Sequence, residues 1–459
     1  MGSLADGSDE PLTPAGRLFL QKETNQVVYC ALGMKHPIDV EAMKASVKGS
    51  IMGKHPRFGS LLVRDRRGVE HWRRTELDID RHFVVVDEPV TDSGDDEAAV
   101  NEYMADLSIS SGLSTDKPLW EVHVLRVHYC LVLRVHHSLG DGISLMSMFL
   151  ALCRKANDPD SLPTIPSAKP RPRDGSFWSM VLRFLQMVWF TIVFAFGIIR
   201  RSTWARDPKN PISGGDGVEL WPRKLATARF WLKDMKLAKA AVPDATINDV
   251  LFGVLSRGLS KYLDEKCPNS MQEGLPITGV AMVNLRKQPG LQEFADMMTK
   301  NPGLRWGNRF GFVLLPLYYR KNDDPLEHLR KAKKMLDQRK NSLEAHFSYW
   351  IGNLVMSCFG AKAAGVLNRR ILCNTTFTIS NVVGPQEEIA YAGNPITYIK
   401  ANSSSLPHAL TMHMVSYAGW ADLQILVAKD IIPDPELLAK CFEDALLEMT
   451  ATAAAALKD

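Results

Sequence analysis

Leu131-Val-Leu-Arg-Val-His-His-Ser-Leu-Gly-Asp-Gly-Ile143 is the stretch on which the reading of this chain turns. Leu131, Leu133 and Val135 alternate with Val132 and Arg134, and a period of two places His137 on the apolar face of a strand and His136 on the face of Arg134. Past the turn, Ile143, Met146, Phe149, Leu150 and Cys153 recur at helical spacing. Gly140-Asp141-Gly142 is therefore a strand-to-helix corner, with Asp141 at the N-cap position close behind an inward-facing histidine. An inward histidine is ordinarily a satisfied core residue, and an Asp before a helix is ordinarily only a cap. Their occurrence together at one corner makes it a candidate catalytic site, since one carboxylate can accept from helix amides and from a second partner at once.

The rest of the composition is that of a folded protein. The 459 residues allow two domains or one two-lobed one, and 46% hydrophobic with 23% charged content supports a sizeable core. A net charge of +4 is too small to indicate a nucleic-acid partner, and no aromatic-studded basic run suggests a nucleic-acid groove. Seven cysteines, scattered and without a CxxC pair, imply a reduced compartment rather than disulfides or a zinc site, and no metal is expected.

Along the chain, residues 1–12 read as a flexible, acidic N-terminus, neither signal nor transit peptide. Thr13-Pro14 reads as a helix start, followed by a strand over residues 26–32 and a helix capped by Asp39 with Val40, Met43, Val47 and Ile51 on one face. Pro118-Leu-Trp120 opens a strand expected to pair antiparallel with residues 131–136. Only His128-Tyr129-Cys130 separates the two, without the Gly or Asn of a hairpin turn. A lobe over residues 13–154 gives way to a segment, residues 155–222, whose Pro159, Pro163, Pro166, Pro170 and Pro172 mark a linker. Within it lies the hydrophobic run 177–199. The second lobe, residues 223–459, contains Asn248-Asp249 before a helical pattern, Asn284-Leu-Arg286 at a strand end, Gly307-Asn308 before an apolar run, and Ser380-Asn-Val-Val-Gly-Pro385 ending another strand. Each of these is weak alone, and Asn248-Asp249 by itself is a helix cap.

Their order carries more. His-His-x-x-x-Asp-Gly at His136 to Gly142 resembles the signature of the chloramphenicol acetyltransferase-like acyltransferase superfamily. The succession Pro-Leu-Trp, His-His-x-x-x-Asp-Gly, Asn-Asp-Val, Asn-Leu-Arg, Gly-Asn and Ser-Asn-Val-x-Gly-Pro looks like the wax ester synthase/diacylglycerol acyltransferase family over nearly the whole chain. The wording Leu139-Gly-Asp-Gly-Ile-Ser-Leu-Met146 and the hydrophobic insert look like its plant branch. The Asp-Phe-Gly-Trp-Gly element of the plant secondary-metabolite acyltransferases is absent. The resemblance implies a mixed α/β fold of two chloramphenicol acetyltransferase-like lobes, with an active-site tunnel at their interface and no bound cofactor. Acyl-CoA is the implied co-substrate, and a fatty alcohol or diacylglycerol the implied acceptor.

Ester formation from an alcohol and a thioester needs a base near neutrality, and an imidazole suits that task. His137 is the expected base, with His136 supporting it. The resemblance implies that Asp141 is structural and ion-paired with Arg286. Asn248 is a candidate oxyanion donor or scaffold residue. Gly142, Pro118, Trp120, Asp249, Asn284, Asn308, Ser380 and Asn381 fall in motif or substrate-tunnel positions, and Lys333 and Lys334 in a basic helix are candidates for CoA or lipid phosphate. Two other readings share the signature: a condensation-type acyltransferase for amines or small alcohols, and an inactive lipid-binding protein.

Residues 177–199 are long enough to cross a bilayer at ~1.5 Å per residue, but Arg183 and Gln186 interrupt the run. One crossing would separate the lobe of His137 from that of Arg286 across the membrane. Residues 350–372, the best candidate for a return crossing, contain Lys362, Arg369 and Arg370. The segment is therefore expected to be a monotopic anchor on the cytosolic leaflet of the endoplasmic reticulum, with both lobes in the cytosol.

Overall fold

The computed structural model describes residues 9–91, 94–110, 112–164, 177–268, 270–286, 306–321, 323–404 and 406–457. The first eight residues, most of the proline-rich linker and the side chain of Arg183 lie outside the described residues. The alternating run before the corner forms the strand Cys130–His136, the third in a seven-stranded sheet. The order is Phe83–Val86, Trp120–Leu125, Cys130–His136, Val27–Met34, Asn394–Ser403, Ile389–Tyr391 and Cys153–Lys155. Every neighbouring pair is antiparallel except the first. Both faces of this sheet are covered. On the side away from His137, Arg134 is buried, donating to Glu121 at 2.9 Å and lying over the ring of Tyr29.

The hairpin that the sequence left without a turn is made by an earlier strand end. Pairing stops at Leu125 opposite Cys130, and Arg126 to Tyr129 form the turn. Tyr129 takes the left-handed conformation, φ 45°, that a glycine would normally supply. Its carbonyl accepts from Met34 N at 2.7 Å, tying the turn to the next strand.

A second, six-stranded sheet runs Phe310–Tyr318, Pro276–Asn284, Phe377–Val383, Leu410–Tyr417, Trp420–Ala428 and Arg223–Trp231. Its strands show the period of two directly. Ile277, Ala281, Val313 and Leu315 face the helices Ile247–Lys266, Pro325–Lys340 and Pro435–Ala456, whereas Val280 and Leu314 face Phe194, Ile198 and Ile371. The last three belong to the two long apolar helices Phe177–Thr203 and Glu344–Cys373.

The division of the chain at residue 223 does not follow the sheets. Ile389–Tyr391 and Asn394–Ser403, from the second half, complete the sheet of the first half by pairing with Cys153–Lys155 and Val27–Met34. Without them the strand Val27–Met34 would present an unpaired edge of amides and carbonyls. Lys400 on the inserted strand is almost fully buried and meets Glu97 at 2.5 Å, so the crossing is fixed by a charge pair as well as by the ladder. The helix Asp96–Ile109 in turn packs on Arg223–Trp231 of the other sheet.

A second correction concerns the return run. By length and composition Glu344–Cys373 could cross a bilayer, as could Met180–Thr203, but it is two helices joined by a bend at Gly360, whose φ is 81°. Arg369, one of the charges within this run, is held by Asp216 and Glu219, each at 2.5 Å. The segment is built into the protein. Ser348 Oγ donates to Phe312 O at 3.0 Å and accepts from Phe312 N at 2.9 Å, and Gly311 lies so close that a Cβ would sit 1.8 Å from Ala345 O.

Burial also sets the response to acid. Desolvation pushes His55 and His136 down to about 3, and His82, His328 and His408 down to about 4. The unfolded chain binds these protons at roughly 6.5. Between the two values it holds more protons than the native state, so stability is complete above ~6.5 and is lost as the pH falls toward 4. Urea midpoints should therefore drop steeply between pH 7 and 5, with proton uptake on unfolding. Midpoints independent of pH over that range would contradict the burial of these rings.

Candidate active site

The strand Cys130–His136 ends at His137, and the helix Gly142–Leu152 begins after Asp141. Asp141 Oδ1 accepts from Ser144 N at 3.0 Å, which is the expected cap. Its Oδ2 accepts from Arg286 Nη1 at 2.6 Å and from Arg309 N at 2.9 Å. Arg286 stands just past the strand Pro276–Asn284 and also donates to Gly307 O. Ser144 Oγ donates to Gly307 O at 3.2 Å, and Trp306 Nε1 to Leu139 O at 2.6 Å. Residues 306–309 thus fold over the corner from the second half of the chain. Gly307 has φ 114°, a conformation that strains any residue with a Cβ, and it lies against the Arg57 guanidinium.

Asn308 fixes the protonation of His137. Its Nδ2 donates to His137 O at 2.7 Å, and a carbonyl can only accept, so Oδ1 is turned toward the ring. Oδ1 lies 3.0 Å from His137 Nδ1, which must then carry the proton. Nε2 is left with its lone pair. Phe19 stacks on the other side of the ring, centroids 4.0 Å apart at 24°, and Phe310 meets it edge-on at 5.9 Å. Burial pulls the His137 pKa below its ordinary value, against the opposing pull of the Asp141 charge, the residue's own carbonyl and Asn308. The ring is therefore uncharged at neutral pH.

His137 lines an apolar cavity of about 320 Å³ between the two sheets. Gly142, Asn284, Ser380 and Asn381 line it too. The helix Glu344–Cys373 forms one wall through Tyr349, Asn353, Met356, Leu367 and Ile371. An alcohol oxygen admitted here would find a base, surroundings that exclude water, and the amides and hydroxyls of the strand Phe377–Val383.

Other residues singled out from the sequence sit elsewhere. His136 Nδ1 accepts from Ser138 N at 3.2 Å, so its Nε2 donates to Asn25 Oδ1 at 2.8 Å, and the ring braces the strand end. Asn248 is outside the cavity lining and accepts from Asn381 Nδ2 at 2.6 Å, acting on the site only through that neighbour. Asp249 closes a capping box with Thr246 and binds Lys340 at 3.1 Å. Trp120 is fully buried against His82 at 3.9 Å and donates to Phe58 O, and Pro118 O accepts from Trp120 N at 2.8 Å. This motif is core, not tunnel. Lys333 and Lys334 line a separate groove beside Gln186 and Phe190, and Lys333 is paired with Asp337.

Sequence reasoning missed Phe19 and His413, which line the cavity, and the grip of Asn308. Among the described residues, no group of three or more His, Cys, Asp or Glu side chains could hold a metal ion, and all seven cysteines are free.

Two lobes sharing a cavity, with a histidine and an ion-paired aspartate at one strand-to-helix corner, make up the two-lobed fold of the acyltransferases that resemble this chain. The fold is similar to that of a wax ester synthase/diacylglycerol acyltransferase from Marinobacter aquaeolei VT8, with a TM-score of 0.62 at 18% identity over 97% of this chain and 100% of that one. It is also similar to the starter condensation domain of rhizomide synthetase, solved with C8-CoA and Leu-SNAC, with a TM-score of 0.57 at 13% identity over 97% and 95%. Residues 51–251 match the wax ester synthase/diacylglycerol acyltransferase catalytic domain, and residues 306–450 match the WS/DGAT C-terminal domain. Wax ester synthase/diacylglycerol acyltransferase 5 of Arabidopsis thaliana is 36% identical over 95% of this chain and 92% of its own length. The chain belongs to the wax ester synthase/diacylglycerol acyltransferase family and is an acyl-CoA-dependent O-acyltransferase.

Removing the His137 ring should lower kcat roughly 10²- to 10⁴-fold. In the unaltered enzyme, kcat/KM should stay level as the pH falls through 6.5, because the ring remains neutral, and decline only in more acid solution. Asn308→Asp places a carboxylate against Nδ1, favours the imidazolium and should move that decline up toward neutrality. A pH–rate profile unchanged by Asn308→Asp would contradict the contact.

Proposed function

We propose that the enzyme esterifies long-chain fatty alcohols and diacylglycerol with acyl-CoA, with His137 as the general base. The observation that carries this reading is the unprotonated Nε2 of a half-buried imidazole at the wall of an apolar cavity. The alcohol oxygen attacks the thioester carbonyl carbon while Nε2 takes its proton. The tetrahedral intermediate then collapses, the carbon–sulfur bond breaks, and the imidazolium returns the proton to the departing CoA thiolate. Ser380, with a hydroxyl to donate, is the cavity-lining group best suited to stabilise the oxyanion, while Asn381 gives its Nδ2 to Asn248.

Contact with a membrane surface belongs to the same reading. Along Phe177–Thr203, Trp178, Phe184, Trp189 and Phe196 are exposed, while Phe194 and Ile198 anchor the last turns to the protein. The neighbouring segment Glu344–Cys373 exposes Trp350 and Leu354 on the side opposite the cavity, and Phe359 beside the bend at Gly360. A crossing by that segment would remove the cavity wall, and a crossing by Phe177–Thr203 alone would part the two lobes. Both helices therefore lie on one leaflet, which we place at the cytosolic face of the endoplasmic reticulum, with the lobes in the cytosol and the cavity next to dissolved lipid. Lys333 and Lys334, in a groove bordering Phe177–Thr203, suit anionic lipid headgroups better than the CoA phosphates.

Purified protein given palmitoyl-CoA should form wax ester with hexadecanol and triacylglycerol with diacylglycerol. Trp178→Glu with Trp189→Glu should abolish flotation with phosphatidylcholine vesicles containing phosphatidylserine. Loss of neither flotation nor turnover in that variant would remove the membrane part of the reading, and failure to use either acceptor would remove the acceptor part.

A further inference from the structure

A linear alkyl chain needs an apolar channel, and the strand register shows one running away from His137. On the face of the seven-stranded sheet that carries His137, Val135 stands opposite Val28, and Leu133 opposite Cys30. Ser403 and Ala401 continue these two rows on the next strand. All six line the cavity of His137, as does Gln26, whose carbonyl accepts from His137 N at 2.9 Å. Polarity falls off along the rows. Gln26 Nε2 donates to Ser403 Oγ at 3.1 Å near the base, whereas the far row offers only Leu133, Cys30 and Ala401. Burial pushes the Cys30 thiol up to about 12, so it acts as a small apolar group. These three side chains lie on central strands yet are only half-buried, because they border open space. The next row is closed. Leu131, Leu32 and Ile399 are 1%, 2% and 1% exposed and stand outside the cavity lining. The floor therefore ends at Leu133, roughly 13 Å along the strand from His137. Leu145, Met146 and Phe149, on one face of the helix Gly142–Leu152, line the same space, and the Phe149 ring meets Tyr391 edge-on at 6.4 Å.

The opposite part of the cavity is walled by Ile198, Leu367 and Ile371, from the two long apolar segments that the membrane reading sets against lipid. An acceptor dissolved in the bilayer reaches His137 from that side, with its hydrocarbon trailing behind the hydroxyl. The arm along Val135 and Leu133 leads the other way and ends blind. It suits the single unbranched tail of the other substrate, whose CoA head stays in water. We propose that this arm seats the acyl chain of acyl-CoA, and that Leu133, Cys30 and Ala401 at its end set the acyl length the enzyme prefers. The inference rests on the side of acceptor entry proposed above and deepens it, since it makes selection of the acyl donor a property of three named side chains.

The test measures kcat/KM for acyl-CoAs from octanoyl to stearoyl with hexadecanol as the fixed acceptor. Each methylene that finds apolar room is worth about fourfold. Cys30→Leu and Ala401→Leu fill the end row, and each should lower the palmitoyl-to-decanoyl ratio about tenfold. Phe149→Ala opens the side of the arm and should raise the stearoyl-to-palmitoyl ratio about fourfold. Thermal unfolding identifies any variant that is not folded. Cys30 and Ala401 lie on different strands, so either substitution alone answers the question, and Phe149→Ala answers it if both are lost. With palmitoyl-CoA fixed, the hexadecanol-to-decanol ratio should stay as in the unaltered enzyme. A fall in that ratio in place of the acyl ratio would put the acceptor tail in the arm and overturn the inference. Acyl ratios unchanged in the folded variants would overturn it as well. Flotation with vesicles is scored separately, so failure of the membrane reading and failure of this one are told apart.

Discussion

The carboxylate of Asp141 carries one negative charge that three parts of the chain share. The helix Gly142–Leu152 offers it an amide, the strand end at Arg286 a guanidinium, and the segment before Phe310–Tyr318 the amide of Arg309. Removing both charges from water costs several kcal/mol per ion, about what their attraction returns. The pair therefore specifies a geometry more than it adds stability. Breaking one side would leave a buried charge uncompensated. What the geometry secures is the position of residues 306–309, because Gly307 O accepts from Arg286 and from Ser144 on either side of the lobe boundary.

From that placement the chemistry follows. Asn308 reaches His137 from the turn at Gly307, whose φ of 114° favours glycine, and the two hydrogen bonds of Asn308 leave Nε2 as the basic nitrogen. A neutral amide orients the ring instead of a carboxylate, and burial outweighs its pull and lowers the pKa. The site keeps an unprotonated base inside an apolar cavity at the cost of some basicity. The same cavity is walled on one side by Glu344–Cys373, which bends at Gly360 and exposes Trp350 and Leu354 on the face away from the cavity.

Much of this was legible in local pattern. The strand before His137, the cap at Asp141, and the helix starts at Thr13 and Asp39 are short-range features, and the structure has all of them, whereas the cap read at Asn248-Asp249 falls two residues earlier, at Thr246, with Asp249 closing its capping box. The pairing of Asp141 with Arg286 came from a family resemblance, since 145 residues separate the two and no periodicity links them. What escaped was also long-range. Asn308 is 171 residues from His137, and the crossing of Asn394–Ser403 into the first sheet depends on which edge lacks a partner, not on the alternation within the strand. His413 sits in an apolar strand like any satisfied core histidine, and only its missing partner sets it apart. Trp120 misled in the opposite direction, because a motif residue that serves the core looks in sequence like one that serves substrate.

The account rests on Asp141 and Arg286 acting as one unit that joins the two halves of the site. A double-mutant cycle of Asp141→Asn and Arg286→Met, followed by urea unfolding at pH 7.5, tests this most directly. Each single change should cost about 3 to 5 kcal/mol by leaving a buried charge unpaired. The double variant should cost less than the sum by about 2 to 3 kcal/mol. Losses that add to within about 0.5 kcal/mol would mean that the two groups are independent and that the corner is held by something else.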